Sequence, residues 1–365
     1  MSRSATARVA VIGAGMAGAT CARLLADAGH SVRLFDKARG VGGRMATRRV
    51  AWGADGDAAQ ASAFDHGAPG FTARSPDFMR FVAQAQADGL LVRWAPVIAP
   101  GSYAPLGDTA LWVPAPDMPA LCRTLVAGLP VNLACPVDAL RQAPDGWCVE
   151  SAGSVVARGF SDVVLALPPQ QAAALLQPHR PDWAQRAQAQ TMLPGWTLMG
   201  VTPEMPGPPA WDLAWPAQGP LSWIVRNDAK PGRTRVPGLA HWVAHASAPW
   251  SQMHLDTPAA KVQALLQEAL AQSLGRPLTW QHAAVHRWRY ASVPRAAVSA
   301  AASAPAAALA RCWWDSALGL GLCGDALGGA GVEGAWASGR ALATALIDRG
   351  RTAPSNTSAP ESSTR

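Results

Sequence analysis

The 365-residue sequence predicts an α/β fold: a Rossmann-type dinucleotide-binding domain joined to a separate antiparallel-sheet domain. Three observations carry this. The chain opens on strand, glycine-rich turn, helix and strand. Its middle, residues 194–250, is rich in Trp, Pro and short strand-like runs. Residues 318–347 then return to a glycine-rich turn followed by a helix. With 49% hydrophobic residues, the chain can build one large or two modest cores.

The elements follow in order. RVAVI (8–12) reads as a short buried strand. Met16 to Ala28 is rich in Ala and Leu, with Leu24, Leu25 and Ala28 at helical spacing and Gly29 as a stop. SVRLF (31–35) is a second strand, and so short a strand–helix–strand unit pairs its strands in parallel. Residues 51–63 read as a hairpin or loop. Residues 76–88 read as a helix with Phe78, Phe81 and Val82 on one face. A helix near 117–128 precedes the strands VNLAC (131–135), WCVES (147–151) and VVLAL (163–167). WTLMGV, LSWIVR and HWVAHA mark the antiparallel sheet, and 258–274 an amphipathic helix. The alanine-rich 296–310 stretch reads as a loose excursion, and the Ser/Thr/Pro-rich tail from 351 as disordered.

Composition narrows the function. The formal net charge is +7, nearly all of it arginine, since lysine occurs only at Lys37, Lys230 and Lys261. The arginines are scattered, so nucleic acid is not an expected partner. Six cysteines without a CxxC pair, and no signal peptide, predict reduced thiols in the cytoplasm. There is no HExxH. His241 and His245 are four apart but on a strand, so no metal site is expected. No apolar run is long enough to span a bilayer.

The first glycine cluster, Gly13-Ala14-Gly15-Met16-Ala17-Gly18, sits between strand and helix. Gly13 permits the tight turn, Gly15 a close backbone approach to a pyrophosphate, and Gly18 close helix–strand packing. The phosphates would meet the positive end of the helix. Asp36 lies 23 residues after Gly13, where a carboxylate accepts hydrogen bonds from an adenosine ribose. These features predict a dinucleotide without separating NAD from FAD.

A second cluster follows at once: Lys37-Ala38-Arg39-Gly40-Val41-Gly42-Gly43-Arg44-Met45-Ala46-Thr47. It resembles the paired-glycine signature of two-dinucleotide flavoproteins, the amine oxidase, phytoene desaturase and renalase-like group, and that resemblance points to FAD. Arg44 is expected to reach the pyrophosphate from the side opposite the helix. At the far end of the chain, Gly324-Asp325 precedes the glycine-rich entry to a helix. Asp325 is expected at the ribityl chain or pyrophosphate. The backbone near Val332 and Glu333 is expected at the flavin O2 side, where negative charge grows on reduction. Cys323 reads as a packed strand cysteine, with a covalent flavin link as the alternative.

Several longer stretches resemble the bacterial renalase family: residues 9–49, FDHGAPGFTAR (64–74), DVVLALPPQQAAALL (162–176), PLSWIVRNDAKPGR (220–233), HWVAHASAPWSQMHL (241–255), HRWRYA (286–291) and 320–343. The resemblance implies a glutathione-reductase-like FAD domain and a substrate domain of the hydroxybenzoate hydroxylase type. It assigns 1–75, 117–170 and 311–350 to the first and 76–116 and 171–310 to the second. It implies non-covalent FAD and oxidation of 2- or 6-dihydro-NAD(P) to NAD(P)+, with oxygen reduced to hydrogen peroxide. His66, Gly67, Ala68, Pro69, Val137 and Ala335 join the expected cofactor contacts, with His66 ordering the turn. On the substrate side, Arg226 is expected to hold a phosphate and Asn227 the carboxamide. His245 would make a polar contact near the ring, and Trp288 and Tyr290 an apolar wall. The plainer alternatives are an ion-paired Arg226, a satisfied buried His245, and Trp288 and Tyr290 as core. Pro69-Gly70, Ala115-Pro116-Asp117-Met118 and the 296–310 stretch depart from the family pattern.

Two rival functions remain open at this level. One is an amine oxidase or desaturase on the same scaffold, against which the scarcity of Lys and Tyr counts. The other is a non-catalytic FAD-binding redox sensor.

Overall fold

A computed structural model describes residues 6–53, 60–103, 110–204, 211–294 and 311–352. The 296–310 stretch and most of the tail from 351 lie outside the described residues. The first third of the chain holds β1 (Arg8–Ile12), α1 (Met16–Asp27), β2 (Ser31–Phe35), β3 (Arg48–Trp52), β4 (Gln60–Phe64), α2 (Pro76–Ala87), β5 (Leu91–Trp94) and β6 (Leu111–Pro114). Next come α3 (Ala120–Leu125), β7 (Val131–Asn132), β8 (Ala139–Ala143), β9 (Gly146–Ser151), β10 (Ser154–Phe160), β11 (Asp162–Leu165), α4 (Pro169–Leu176) and α5 (Pro181–Ala189). Then follow β12 (Leu193–Pro203), β13 (Leu213–Ala214), β14 (Leu221–Arg226), β15 (Leu239–Ala246), α6 (Ala248–Met253), α7 (Ala259–Ser273) and β16 (His282–Ser292). The chain closes with β17 (Trp313–Asp315), β18 (Leu320–Leu322), α8 (Asp325–Gly328) and α9 (Gly331–Thr352).

The stretch 51–63, expected as a hairpin or loop, overlaps β3 and β4, which pair antiparallel from Arg48–Phe64 to Trp52–Gln60. The expected helix at 117–128 is shorter, and VNLAC contributes only two strand residues. The eleven-residue β16 was not foreseen as a strand. Its HRWRY run alternates exposed Arg287 and Arg289 with partly covered His286, Trp288 and Tyr290, the period-two pattern of a strand covered on one face.

Two sheets position the site. The first has the order β17-β18-β11-β1-β2-β7, with β1, β2, β7, β11 and β18 parallel. Alternation along β1 buries both faces, as a parallel sheet requires. Val9 and Val11 meet α1 and α9, while Ala10 and Ile12 meet a second core that includes Leu175, Leu176 and Trp183. Thus α4 and α5 pack on this sheet. The expected domain boundary at 170/171 therefore falls inside a helix that shares a core with the dinucleotide sheet. Pro169 opens this helix, a position where proline is tolerated.

The second sheet is antiparallel, with the order β13-β14-β15-β12-β16. One face carries Trp196, Leu198, Ile224 and Trp242 onto Val262, Leu266 and Leu270 of α7. The other carries Met199, Val201, Val225 and Val243 into the large core shared with α1 and α9. This inner face looks toward the dinucleotide unit.

Gly18 shows how closely the opening unit is packed. A Cβ there would lie 1.9 Å from the Gly13 carbonyl oxygen, whereas one on Gly40 meets nothing within 4 Å. Gly18→Ala should lower the stability of the FAD-free protein by about 1–3 kcal/mol, while Gly40→Ala should stay within about 0.5 kcal/mol. Thermal unfolding of both variants checks this, and equal effects would contradict it.

Candidate active site

The two glycine clusters lie against each other. Gly13 has φ of +107°, and a Cβ on it would sit 2.4 Å from the Ala166 carbonyl oxygen. The Gly42 N–H donates to the Ala14 carbonyl at 2.9 Å, and Gly15 and Gly42 form a parallel bridge. A Cβ on Gly43 would lie 3.2 Å from the Gly15 Cα. Gly43 is thus the glycine of the second cluster that packs directly on the first, while a Cβ on Gly42 would lie 2.8 Å from the Met45 carbonyl oxygen and from Pro119 Cβ. Asp36 joins them: one carboxylate oxygen accepts from the Ala14 N–H at 2.7 Å, the other from the Ala38 N–H at 2.8 Å. The residue expected at the ribose thus also fixes both turns. Met16, Ala17 and Met45 are buried beneath them, Lys37 is exposed, and Val137 packs on the core at Phe35.

This arrangement fits FAD. Helix α1 has no side-chain cap at Gly15 and no acidic residue in its first turn, so its positive end is open to a pyrophosphate. A Cβ at Gly15 would meet nothing nearer than 3.8 Å, which leaves room for a close approach.

The chain ends meet at Arg44 and Asp325. The guanidinium grips the carboxylate with both arms, at 2.8 and 2.6 Å, and one nitrogen also donates to the Ala291 carbonyl at 3.3 Å. The two groups expected on the pyrophosphate and ribityl chain therefore hold each other, which joins the second glycine cluster to the Gly-Asp turn. The residues that follow, Gly329, Ala330 and Gly331, all have positive φ. The Asp325 carbonyl accepts from Gly329 and Ala330, and Gly324 is pinned through its N–H by the Ser338 hydroxyl. Val332 and Ala335 are buried in the shared core. The Glu333 carboxylate accepts from the Arg74 and Ser75 N–H groups at the start of α2, so only its backbone remains for a flavin.

The Asp-His-Gly-Ala turn is fixed on the same strip. The Ala68 N–H donates to the Arg44 carbonyl at 2.8 Å, and a Cβ on Gly67 would lie 2.0 Å from that oxygen. Pro69 follows in the same loop. Asp65, fully buried, accepts from Lys230 Nζ at 3.1 Å, Arg233 Nε at 2.9 Å and Thr47 Oγ1 at 2.7 Å. Sequence reasoning missed Lys230 and Arg233, because a Pro/Gly turn gives no local sign that its lysine is buried.

Two residues expected to contact substrate are engaged with other parts of the protein. Arg226 lies on the outer face of the second sheet, stacked over Trp242 and paired with Asp228 and Glu204. Strand alternation decides this: Trp223 and Val225 point inward, so Arg226 cannot. Asn227 is buried, with its amide oxygen accepting from the Asp65 N–H and its nitrogen donating to the Ala63 carbonyl. Both ends of the side chain thus bond to the backbone around Asp65 and hold the loop.

His245 and Trp288 do face inward. His245 Nδ1 meets Thr197 Oγ1 at 3.2 Å, and its buried Nε2 has no partner among the described residues. The His66 ring stacks on Trp288 at 5.1 Å and meets His286 edge-on at 4.8 Å. The Trp288 indole N–H donates to the His66 carbonyl at 3.0 Å, and His66 Nδ1 is buried without a partner among the described residues. Tyr290, two residues on, is partly buried beside the Ala291 carbonyl that Arg44 reaches.

Residues 106–347 match the family model of flavin containing amine oxidoreductases, and residues 11–85 match that of an NAD(P)-binding Rossmann-like domain. This chain belongs to the flavin-containing amine oxidoreductase family. Its cofactor is FAD, and it is a flavin-dependent oxidoreductase. Solved structures with a similar fold include an assigned protoporphyrinogen oxidase from Exiguobacterium sp. 255-15, with TM-score 0.67 and 13% identity over 96% of this chain and 100% of that one. Putrescine oxidase bound to putrescine has TM-score 0.62 and 15% identity over 94% and 99%. Cyclohexylamine oxidase from Brevibacterium oxydans IH-35A has TM-score 0.61 and 13% identity over 94% and 99%. At these identities the likeness shows the fold alone.

In this family member the imidazoles of the inner face are held neutral. Burial, then the neighbouring His286, pushes His66 down to about 4. Burial, then Lys230 and His66, pushes His245 down to about 3. Burial also lowers His241, His282 and His286, with Arg48 adding to the last two. Burial lowers Lys230 to about 8 against the pull of Asp65. Burial alone would raise Asp65, but the Lys230 and Arg233 charges hold it below the usual carboxylate range. Cys323 is buried and its thiol is pushed up by burial and by Cys21 and Cys312, which makes it a packed thiol and a poor nucleophile.

Two predictions follow from these contacts. A histidine whose folded value lies below its unfolded value of about 6.5 takes up a proton on unfolding. Its stabilising effect is complete above that value and is lost as pH falls. Each proton contributes a slope of about 1.4 kcal/mol per pH unit. Denaturant unfolding between about pH 6 and pH 4.5 should show a slope of about two protons or steeper, and His66→Asn should remove about one; a flat profile contradicts neutral burial. Separately, Asp325→Asn should weaken FAD binding about tenfold or more, the effect of losing one charge-assisted contact. Flavin fluorescence titration of the apoprotein measures it, and an unchanged affinity would show that Asp325 does not serve the cofactor.

Proposed function

We propose that this enzyme oxidises a neutral dihydronicotinamide donor, a 2- or 6-dihydro-NAD(P) isomer, to NAD(P)+, with oxygen as acceptor and hydrogen peroxide as product. One observation carries the reading: the charge balance of the inner face. Its imidazoles are neutral at pH 7, and Lys230 and Arg233 share a single carboxylate. The buried carboxylates that contact these strands, Asp65 and Asp228, are already paired. An ammonium substrate would meet net positive charge there, whereas a neutral ring meets flat partners in Trp288 and His66. The renalase-like stretches at 220–233, 241–255 and 286–291 form this same region.

Bound FAD supplies a two-electron acceptor that oxygen can reoxidise. The protein's own residues bind and orient. Gly13–Gly18, Gly42 and Gly43 would cradle the dinucleotide, while Arg44 and Asp325 fix the wall between its halves. His66 and Trp288 present a flat surface, and His245 Nε2 a buried polar point for the donor. Hydride transfer needs close stacking and no strong acid or base, which suits imidazoles held neutral. The reading treats the second sheet as a substrate domain of the hydroxybenzoate hydroxylase type. It places the enzyme in the cytoplasm, in keeping with six free cysteines. No helix among the described residues is long and apolar enough to cross a membrane.

Amine oxidation is the second reading, favoured by family membership and by Lys230, the one buried lysine of the three. Anaerobic stopped-flow absorbance separates the two. Rapid flavin bleaching by 2- or 6-dihydro-NAD, with ordinary NADH slow and amines inert, is the expected result. Bleaching by amines alone would replace the proposal with the second reading.

A further inference from the structure

Inward-facing residues form a continuous row across the second sheet. Register pairs Trp223 with His245, His245 with Thr197, and Thr197 with His286. Trp215, directly after β13, extends the row and meets Trp223 edge-on at 5.2 Å. Five strands are crossed in four steps of about 4.8 Å, so the row is roughly 19 Å long. Its two ends differ. The His286 end lies under His66 and Trp288, next to the strand end where Arg44 reaches Ala291, and therefore faces the cofactor. The Trp215 end is bonded to the surface segment through Tyr103 and Ser102, where Tyr103 is 59% and Val97 56% exposed.

Buried polar atoms without partners mark the row as more than core. Trp215 is 6% exposed, yet among the described residues its indole N–H has no acceptor, and His245 Nε2 and His66 Nδ1 also lack partners. A buried indole N–H in a packed interior ordinarily finds an acceptor. A single six-membered ring covers only part of a 19 Å row, roughly. We propose that Trp215 and Trp223 form the outer half of the donor site and hold the part of the donor remote from its reacting ring. The Trp215 N–H binds a carbonyl, hydroxyl or phosphate oxygen there, and the Trp223 face packs on the donor. This makes the two tryptophans specificity-determining: they select an extended donor over a bare ring. The inference rests on the reading of the site given above.

Trp215→Phe keeps the aromatic ring and removes only the donor, and Trp223→Leu removes the second face. Calorimetric titration of each FAD-loaded protein with NAD and with nicotinamide reads the two halves separately. Both variants should weaken NAD about tenfold, the loss of about one good hydrogen bond or aromatic contact, and leave nicotinamide unchanged. FAD content and thermal midpoint for Trp215→Phe should match wild type. Unchanged NAD affinity in Trp215→Phe, or equal losses for NAD and nicotinamide, overturns the assignment. If the wild-type protein binds neither, the dihydronicotinamide reading fails. The same comparison with 4-phenylbutylamine and benzylamine then decides the wall alone: selective loss of the longer amine supports it, and equal behaviour overturns it.

Discussion

The buried Asp65 carboxylate is the contact on which the rest of the site depends. It accepts from Thr47 beside the second glycine cluster and from Lys230 and Arg233 after the turn that ends β14. Its backbone N–H is held by Asn227 from the same turn. One carboxylate thus ties the dinucleotide loops to the antiparallel sheet. Removing one member of such a buried set leaves uncompensated charge, which typically costs about 3–5 kcal/mol. The next residue is His66, so this anchor also places the ring that stacks on Trp288.

Two cations around one anion leave positive charge inside the protein. The nearby imidazoles respond by staying neutral: His245 is lowered by burial and by Lys230, and His66 by burial and by His286. The arrangement disfavours cations and supplies uncharged hydrogen-bonding nitrogens. Structural and functional roles therefore coincide in Lys230 and Arg233, because the pair that secures the loop also sets the potential at the inner face.

The cofactor side rests on a different constraint, the closeness of backbone to backbone. Gly18 on Gly13, Gly43 on Gly15, Gly67 on Arg44, and Gly42 against Met45 and Pro119 leave no space for a Cβ without movement of a neighbour. The second glycine cluster is the middle layer of this stack. Arg44 then carries the stack to Asp325 at the other end of the chain, so the N- and C-terminal glycine-rich turns form one wall.

The sequence by itself determined the local features: the strand–turn–helix opening, the two glycine clusters, the Gly-Asp turn and the positions of β14 and β15. Each depends on a few consecutive residues whose spacing is fixed by helix or strand geometry. It also placed His245 and Trp288 among the candidates. Tertiary structure decided what those residues face. Arg226 points outward because strand alternation leaves it beyond Trp223 and Val225, and Asn227 is consumed by Ala63 and Asp65, more than 160 positions away in the chain. Lys230 is buried only because Asp65 is there to receive it, and the row from Trp215 to His286 exists only once five strands are in register. Such partners are distant in sequence, and pairing between distant segments leaves no periodic signal in either one.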